Sequence, residues 1–137
     1  MSTVSHVVGL RLLAWGREVT LPTRFCYDER EPFEVRAVFG AGLAAEPVEW
    51  VLARSLLADG MHGPAGDGDV RTRPSASHRH LVIELSSPSG AVRFEAPAAE
   101  VARFLDATFR LVPDGAEPPR DDIDAGIDAI FAEHGPR

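Results

Sequence analysis

The sequence predicts an α+β protein, an antiparallel β-sheet region with C-terminal helices packed on it. Two changes of pattern carry that prediction. Most of the first two-thirds of the chain alternates with period 2, the signature of strands. Then Val101, Phe104, Leu105, Thr108, Phe109 and Val112 fall at i, i+3, i+4, i+7, i+8 and i+11, one stripe of a helix. Strands first and helices last segregate into α+β layers.

Each element has its own signal. Val8, Leu10, Leu12 and Ala14 share one parity of a first strand, and the other parity is apolar enough to suggest cover on both faces. After a turn near Gly16, Arg24–Tyr27 reads as a second, short strand. Phe33, Val35, Ala37 and Phe39 alternate with Glu34 and Arg36 as a third, broken by Gly40 and Gly42. Val48, Trp50 and Leu52 give a fourth. Ser55–Gly60 suits one helical turn, with Ser55 as its cap and Gly60 at its end. A glycine-rich loop, His62–Gly68, leads to Val70–Arg73. His80–Ser86 and Ala91–Glu95 pair around a Pro88-Ser89-Gly90 turn. Pro97 suits the first turn of the long helix and Pro113 ends it. A last helix is expected over about Asp122–His134, with Ile123, Ile127, Ile130 and Phe131 as its stripe.

A chain of 137 residues is one domain, 1–137. Within it, about 6–112 form the strand-rich part and first long helix, and 113–137 a Pro-rich linker with an acidic C-terminal helix. The 14 basic side chains are all arginine, against 21 acids, for a net charge of −7. Residues 1–112 are nearly balanced, while 113–137 set seven acids against Arg120 and Arg137. A nucleic-acid binder draws its affinity from a basic face, so nucleic acid is not the expected partner. The missing lysine fits a GC-rich genome. The single cysteine, Cys26, excludes an internal disulfide. The N-terminus lacks the basic and apolar regions of a signal peptide, and no apolar run approaches the ~18 residues of a membrane span. A cytoplasmic location is expected.

Candidate chemistry is sparse. The Gly63–Gly68 loop lacks the Gly-Lys-Ser/Thr ending of a phosphate loop, and Asp67-Gly68-Asp69 lacks the further oxygens of a calcium loop. His78 and His80 at i, i+2 would share a strand face, but zinc needs three or four ligands. Cys26 has no neighbouring cation to activate it. Glu84 and Glu95 face each other across a hairpin only as exposed strand residues. No catalytic or metal site and no cofactor is predicted. Trp50, Leu52, Leu56 and Leu57 are expected core anchors, and Arg54 is placed to hold loop carbonyls with its planar donors. Gly60, Gly66 and Gly68 are expected at turns needing positive φ. Arg71 and Arg73 share a face, with Arg79 near in sequence and Trp50 as a ring for stacking. These give the alternative reading, a single-stranded nucleic-acid binder. A solvated strand edge guarded by charge is the simpler account.

The block Glu49-Trp50-Val51-Leu52-Ala53-Arg54-Ser55-Leu56-Leu57-Ala58-Asp59-Gly60, followed by Gly66-Asp67-Gly68-Asp69-Val70-Arg71, strongly resembles the SsgA-like proteins of actinobacterial sporulation and cell division. Tyr27-Asp28, Pro32-Phe33-Glu34-Val35, Leu85–Gly90 and Glu95-Ala96-Pro97 fit as well, so the likeness covers about residues 6–134. The resemblance implies a small, non-enzymatic cytoplasmic protein that helps place division septa. One member recruits the tubulin-like GTPase FtsZ, and others control where that recruiter sits. It also implies a fold similar to the Whirly single-stranded-DNA-binding proteins, assembled as a bell-shaped trimer. The implied partners are copies of itself, FtsZ or another SsgA-like protein. The family offers no catalytic residue or cofactor to carry over. Its matching residues here, Trp50, Arg54, Leu56, Leu57, Gly60, Gly66, Gly68 and Asp69, read as structural.

Overall fold

In a computed structural model, which describes residues 2–14, 16–39 and 48–117, the strands form one sheet. They are β1 (Thr3–Ala14), β2 (Arg17–Asp28), β3 (Glu34–Phe39), β4 (Val48–Ala53), β5 (Val70–Pro74), β6 (His80–Ser87) and β7 (Gly90–Pro97). Helix α1 (Arg54–Gly60) links β4 to β5, and α2 (Ala98–Leu111) follows β7. The strand order is β4-β3-β2-β1-β7-β6-β5, with every neighbour antiparallel. The expected last helix, and the break at Gly40 and Gly42, lie outside the described residues.

Alternation writes the inner face. Val8 and Leu10 of β1 share this face with Phe25 and Tyr27 of β2, which stand opposite His6 and Val4, then with Val35, Ala37 and Phe39, then Leu52. On the other flank come Phe94 and Ala96, then Leu81, Ile83 and Leu85. The stripe on α2 closes this layer with Val101, Phe104 and Leu105, all buried. Burying each such side chain contributes about 1.5–3 kcal/mol. The Phe104 ring meets Phe25 edge-on at 5.5 Å and His6 at 5.6 Å. Phe39 and Phe94 approach to 5.4 Å although β2 and β1 lie between their strands, so the sheet curls into a half-barrel.

Three expectations change. Instead of a short second strand, β2 has 12 residues. Its first part forms a hairpin arm with β1 and is exposed on both sides, and β3 reaches only Thr23–Cys26, so no one-sided burial printed an alternation there. The suggested cover on both faces of β1 is also absent at its centre, where Val7 is 61% exposed. Finally, the cap of α1 lies two residues early, at Ala53 instead of Ser55, with no side-chain cap bond. Arg54, not Ser55, opens the helix, with its backbone N–H on the Phe33 carbonyl at 2.8 Å and its side chain buried.

Candidate functional site

The chain turns from β4 into α1 at Arg54, whose side chain is 2% exposed. Its guanidinium lies 4.9 Å from the Tyr27 ring centre and 4.2 Å from that of Phe109. Nη1 donates to the Thr108 carbonyl at 3.2 Å and the Val112 carbonyl at 2.7 Å. Nη2 reaches Glu117 Oε2 at 3.0 Å. The last carbonyls of a helix have no partner within it, and its C-terminus carries partial negative charge. Arg54 adds a second donor to the Thr108 carbonyl, which already accepts the Val112 N–H at 2.8 Å, and takes the Val112 carbonyl just past the helix, clasping the end of α2 to the sheet. The Glu117 carboxyl is held below the ordinary carboxylate range, first by its own backbone N–H and then by Arg54. Burial pushes the Tyr27 phenol up, and its hydroxyl donates to the Pro32 carbonyl at 2.9 Å. The loop carbonyl expected for Arg54 is that of Val112, just past α2, and the Thr108 carbonyl in the last turn of the helix joins it, 58 and 54 residues further on.

The rest of the motif seats α1 on β5. Leu57 is fully buried, while Leu56 and Trp50 are half-buried. The Thr72 hydroxyl donates to the Leu56 carbonyl at 2.7 Å. At Gly60 a Cβ would lie 2.5 Å from Thr72 Cβ and closer still to its hydroxyl oxygen. Gly60 is therefore required by close approach within a helix, not by positive φ. Gly66 has φ +88°, and a Cβ there would lie 2.5 Å from the Val70 carbonyl oxygen. Gly68 has neither property, which corrects the expectation for two of the three glycines. The Asp69 carbonyl accepts the Ser86 N–H at 2.8 Å.

The arginine patch is weaker than its sequence suggests. Arg71 is exposed, but Arg73 pairs with Glu84 at 3.3 Å, a surface pair worth about 0.5 kcal/mol. Arg79 is exposed in the turn before β6. Trp50 belongs to β4, at the opposite end of the sheet order, and its register with Ala37 puts it on the inner face, so it offers these arginines no stacking platform. Two further arginines of the outer face are also compensated. Arg11 pairs with Glu18 and Glu95, and Arg36 with Glu31 and Glu49.

The remaining candidates separate. His78 sits in a turn at φ 60°, and His80 starts β6, so they share no strand face. Among the described residues no three His, Cys, Asp or Glu groups are placed to hold a metal ion. Glu84 stands opposite Arg93, and Glu95 opposite Val82, so the two carboxylates do not face each other. Cys26 lies on the outer face with Sγ 3.8 Å from Ser5 Oγ.

Sequence reasoning missed an open depression of about 420 Å³ on the outer face of β1, β2 and β3. Arg24, Asp28, Arg30 and Arg36 line it beside Ser5 and Cys26. Asp28 is held down to about 2 by hydrogen bonds from the Arg30 side chain and backbone. Glu31 lies below its ordinary range through Arg36, and its hydrogen bond to Glu34 raises the Glu34 carboxyl. With Val7 and Val51 exposed on the same outer face, this is a mixed polar and apolar surface suited to contact. The outward parity of β1–β4 was its one signal.

A curled antiparallel sheet with its motif residues turned inward, and paired charge outside, defines a β-rich module whose outer surface is left for contacts. The family model for the Streptomyces sporulation and cell division protein SsgA matches residues 21–117. The sporulation-specific cell division protein SsgB of Streptomyces coelicolor is 44% identical over 135 residues, spanning 96% of this chain and 98% of that protein. SsgB of Thermobifida fusca is 43% identical over 97% of this chain and 95% of that one. Among solved structures, the SsgA-like sporulation-specific cell division protein of Thermobifida fusca superposes with TM-score 0.79 at 41% identity, over 97% of this chain and 96% of that one. A Streptomyces coelicolor SsgB structure gives 0.76 at 45% identity, over 85% and 93%. The chain belongs to the SsgA family.

Proposed function

We propose that this chain is a non-enzymatic adaptor of cell division and sporulation that helps position septa by binding other proteins. The observation that carries the reading is similarity at 44% identity to a sporulation-specific cell division protein along nearly the whole of both chains. Its partners in this reading are the division GTPase FtsZ or another SsgA-like protein, met at the septum, and it assembles as a homotrimer. The compensated outer face favours protein contacts over phosphate contacts, which need an excess of positive charge. No helix among the described residues is long and apolar enough to cross a membrane. The test is affinity capture of the tagged protein from its own dividing cells, with nuclease, read by mass spectrometry. Recovery of division proteins despite nuclease is expected, and loss of every partner on nuclease treatment would overturn the reading.

One observation favours the Whirly-like, single-stranded nucleic-acid reading. Arg71 and Arg79 are exposed and have no ion-pair partner among the described residues. Replacing Arg71, Arg73 and Arg79 together by Ala separates the two readings. The adaptor reading expects oligonucleotide binding that is weak and unchanged by the substitutions. A salt-sensitive affinity lost in the triple variant would favour nucleic acid.

A further inference from the structure

The two edges of the sheet are treated differently. At the β5 edge, Thr72 exchanges both backbone bonds with Ala65, at 2.8 and 2.9 Å, and Pro74 and the charged Arg71 and Arg73 flank it. These are the usual guards of an edge. The β4 edge carries none of them: Val48-Glu49-Trp50-Val51-Leu52-Ala53 holds no proline and no cation. No strand pairs with its outer side among the described residues.

The backbone of β4 shows which groups face outward. The Arg54 N–H donates to the Phe33 carbonyl at 2.8 Å, and hydrogen-bonded pairs alternate along an antiparallel ladder. In the observed register, Leu52, Trp50 and Val48 therefore bond to Val35, Ala37 and Phe39. Glu49 and Val51 direct their N–H and C=O groups away from β3. Val51 is 50% exposed and Val48 47%. On the inner side of this edge, Trp50 lines a groove of about 200 Å³ with Leu85, Val92 and the serines of the β6–β7 hairpin, Ser86, Ser87 and Ser89. That space takes one apolar side chain. On the outer side, Glu49 lies two residues from Val51; it already meets Arg36 at 3.5 Å, and its 47% exposed side chain leaves a face open to a second cation.

We infer that the β4 edge is a docking site for an extended segment of a partner protein that adds an eighth strand. Its inward positions are apolar, with one large residue in the groove beside Trp50, and its outward positions are basic, facing Glu49. Backbone bonds to Glu49 and Val51 give affinity, and the alternating side chains give register. The inference rests on the adaptor reading, since it takes the partner to be a protein.

The test uses the full chain and the peptide acetyl-Arg-Val-Arg-Phe-Arg-Val-Arg-amide, with a block-ordered peptide of the same composition as control. Amide hydrogen exchange is read residue by residue. In the free chain the Glu49 and Val51 amides should exchange freely while Trp50 and Leu52 are protected. The alternating peptide should protect Glu49 and Val51, and the block-ordered one should not. Val51→Pro removes an outward N–H and leaves the β3 ladder intact, so it should weaken peptide binding by about tenfold. If that variant does not fold, Glu49→Arg should weaken binding by repulsion and serves in its place. Protection already present in the dilute free chain would mean that the chain covers its own edge, and overturns the inference. Protection that grows with protein concentration would assign the edge to a second copy, and overturns it equally. So would undiminished peptide binding by both variants. If the edge fails while division proteins are still captured from cells, the adaptor reading stands. If capture fails while the peptide docks, the strand-adding edge stands without it.

Discussion

Arg54 concentrates more of this fold than any other single side chain. It is buried, sandwiched near two rings, and divides its donors between the Thr108 carbonyl of α2, the Val112 carbonyl just past it and the Glu117 carboxylate. Removing one partner from a buried pair leaves the others unsatisfied, so Arg54→Ala should cost about 3 kcal/mol. A urea titration will show it as a lower midpoint, and an unshifted midpoint would remove the clasp from the account. Arg54→Lys should fall between the two, because an ammonium cannot reproduce the planar fork. The pair with Glu117 also gives a pH dependence. Because the folded carboxyl lies below its ordinary range, its contribution is complete above the unfolded pKa and is lost as pH falls through the folded value. The melting-temperature gap between wild type and Glu117→Gln should therefore close as pH drops below about 4. A gap that stays constant into that acid range would show that the ion pair contributes nothing. The sequence made Arg54 conspicuous by its place at a strand-to-helix junction, but its partners, far along the chain, could not be read from spacing.

At the scale of elements, legibility followed one-sided burial. The β3 and β7 strands and α2 each bury one face, and their periods could be read directly; β6 buries Val82 on its other face as well. The first part of β2 buries neither face and was invisible. Gly60 shows the other limit. Its helical position gives no local reason for glycine; the reason is Thr72, across the junction of α1 with β5. Gly60→Ala should thus act as overpacking and cost about 2 kcal/mol. Because the clash is with Thr72 itself, Thr72→Ala should partly rescue it, and the double variant should be more stable than the two single costs predict. Strict additivity in denaturant titrations would show that the two side chains do not meet.

For the whole molecule, the sequence announced an acidic chain without a catalytic constellation, and its motif residues named the family before any geometry was known. The outer surface was hidden, because exposed strand faces carry no period that separates a contact surface from ordinary solvated residues. The depression over β1–β3 and the open β4 edge appear only once the register is known. An adaptor with one modest edge site per chain gains by assembling copies, since each binding event after the first becomes intramolecular and overall affinity for a polymeric partner rises without new contacts. The proposed trimer is one assembly that supplies this gain. Light scattering at micromolar concentration should give three times the 14.8 kDa chain mass. Because the β4 edge is assigned to a partner segment, Val51→Pro should leave that mass unchanged while weakening peptide docking. A monomer mass for wild type would remove the avidity argument. A wild-type trimer that Val51→Pro reduces to monomers would instead show that copies of this chain hold one another by the β4 edge.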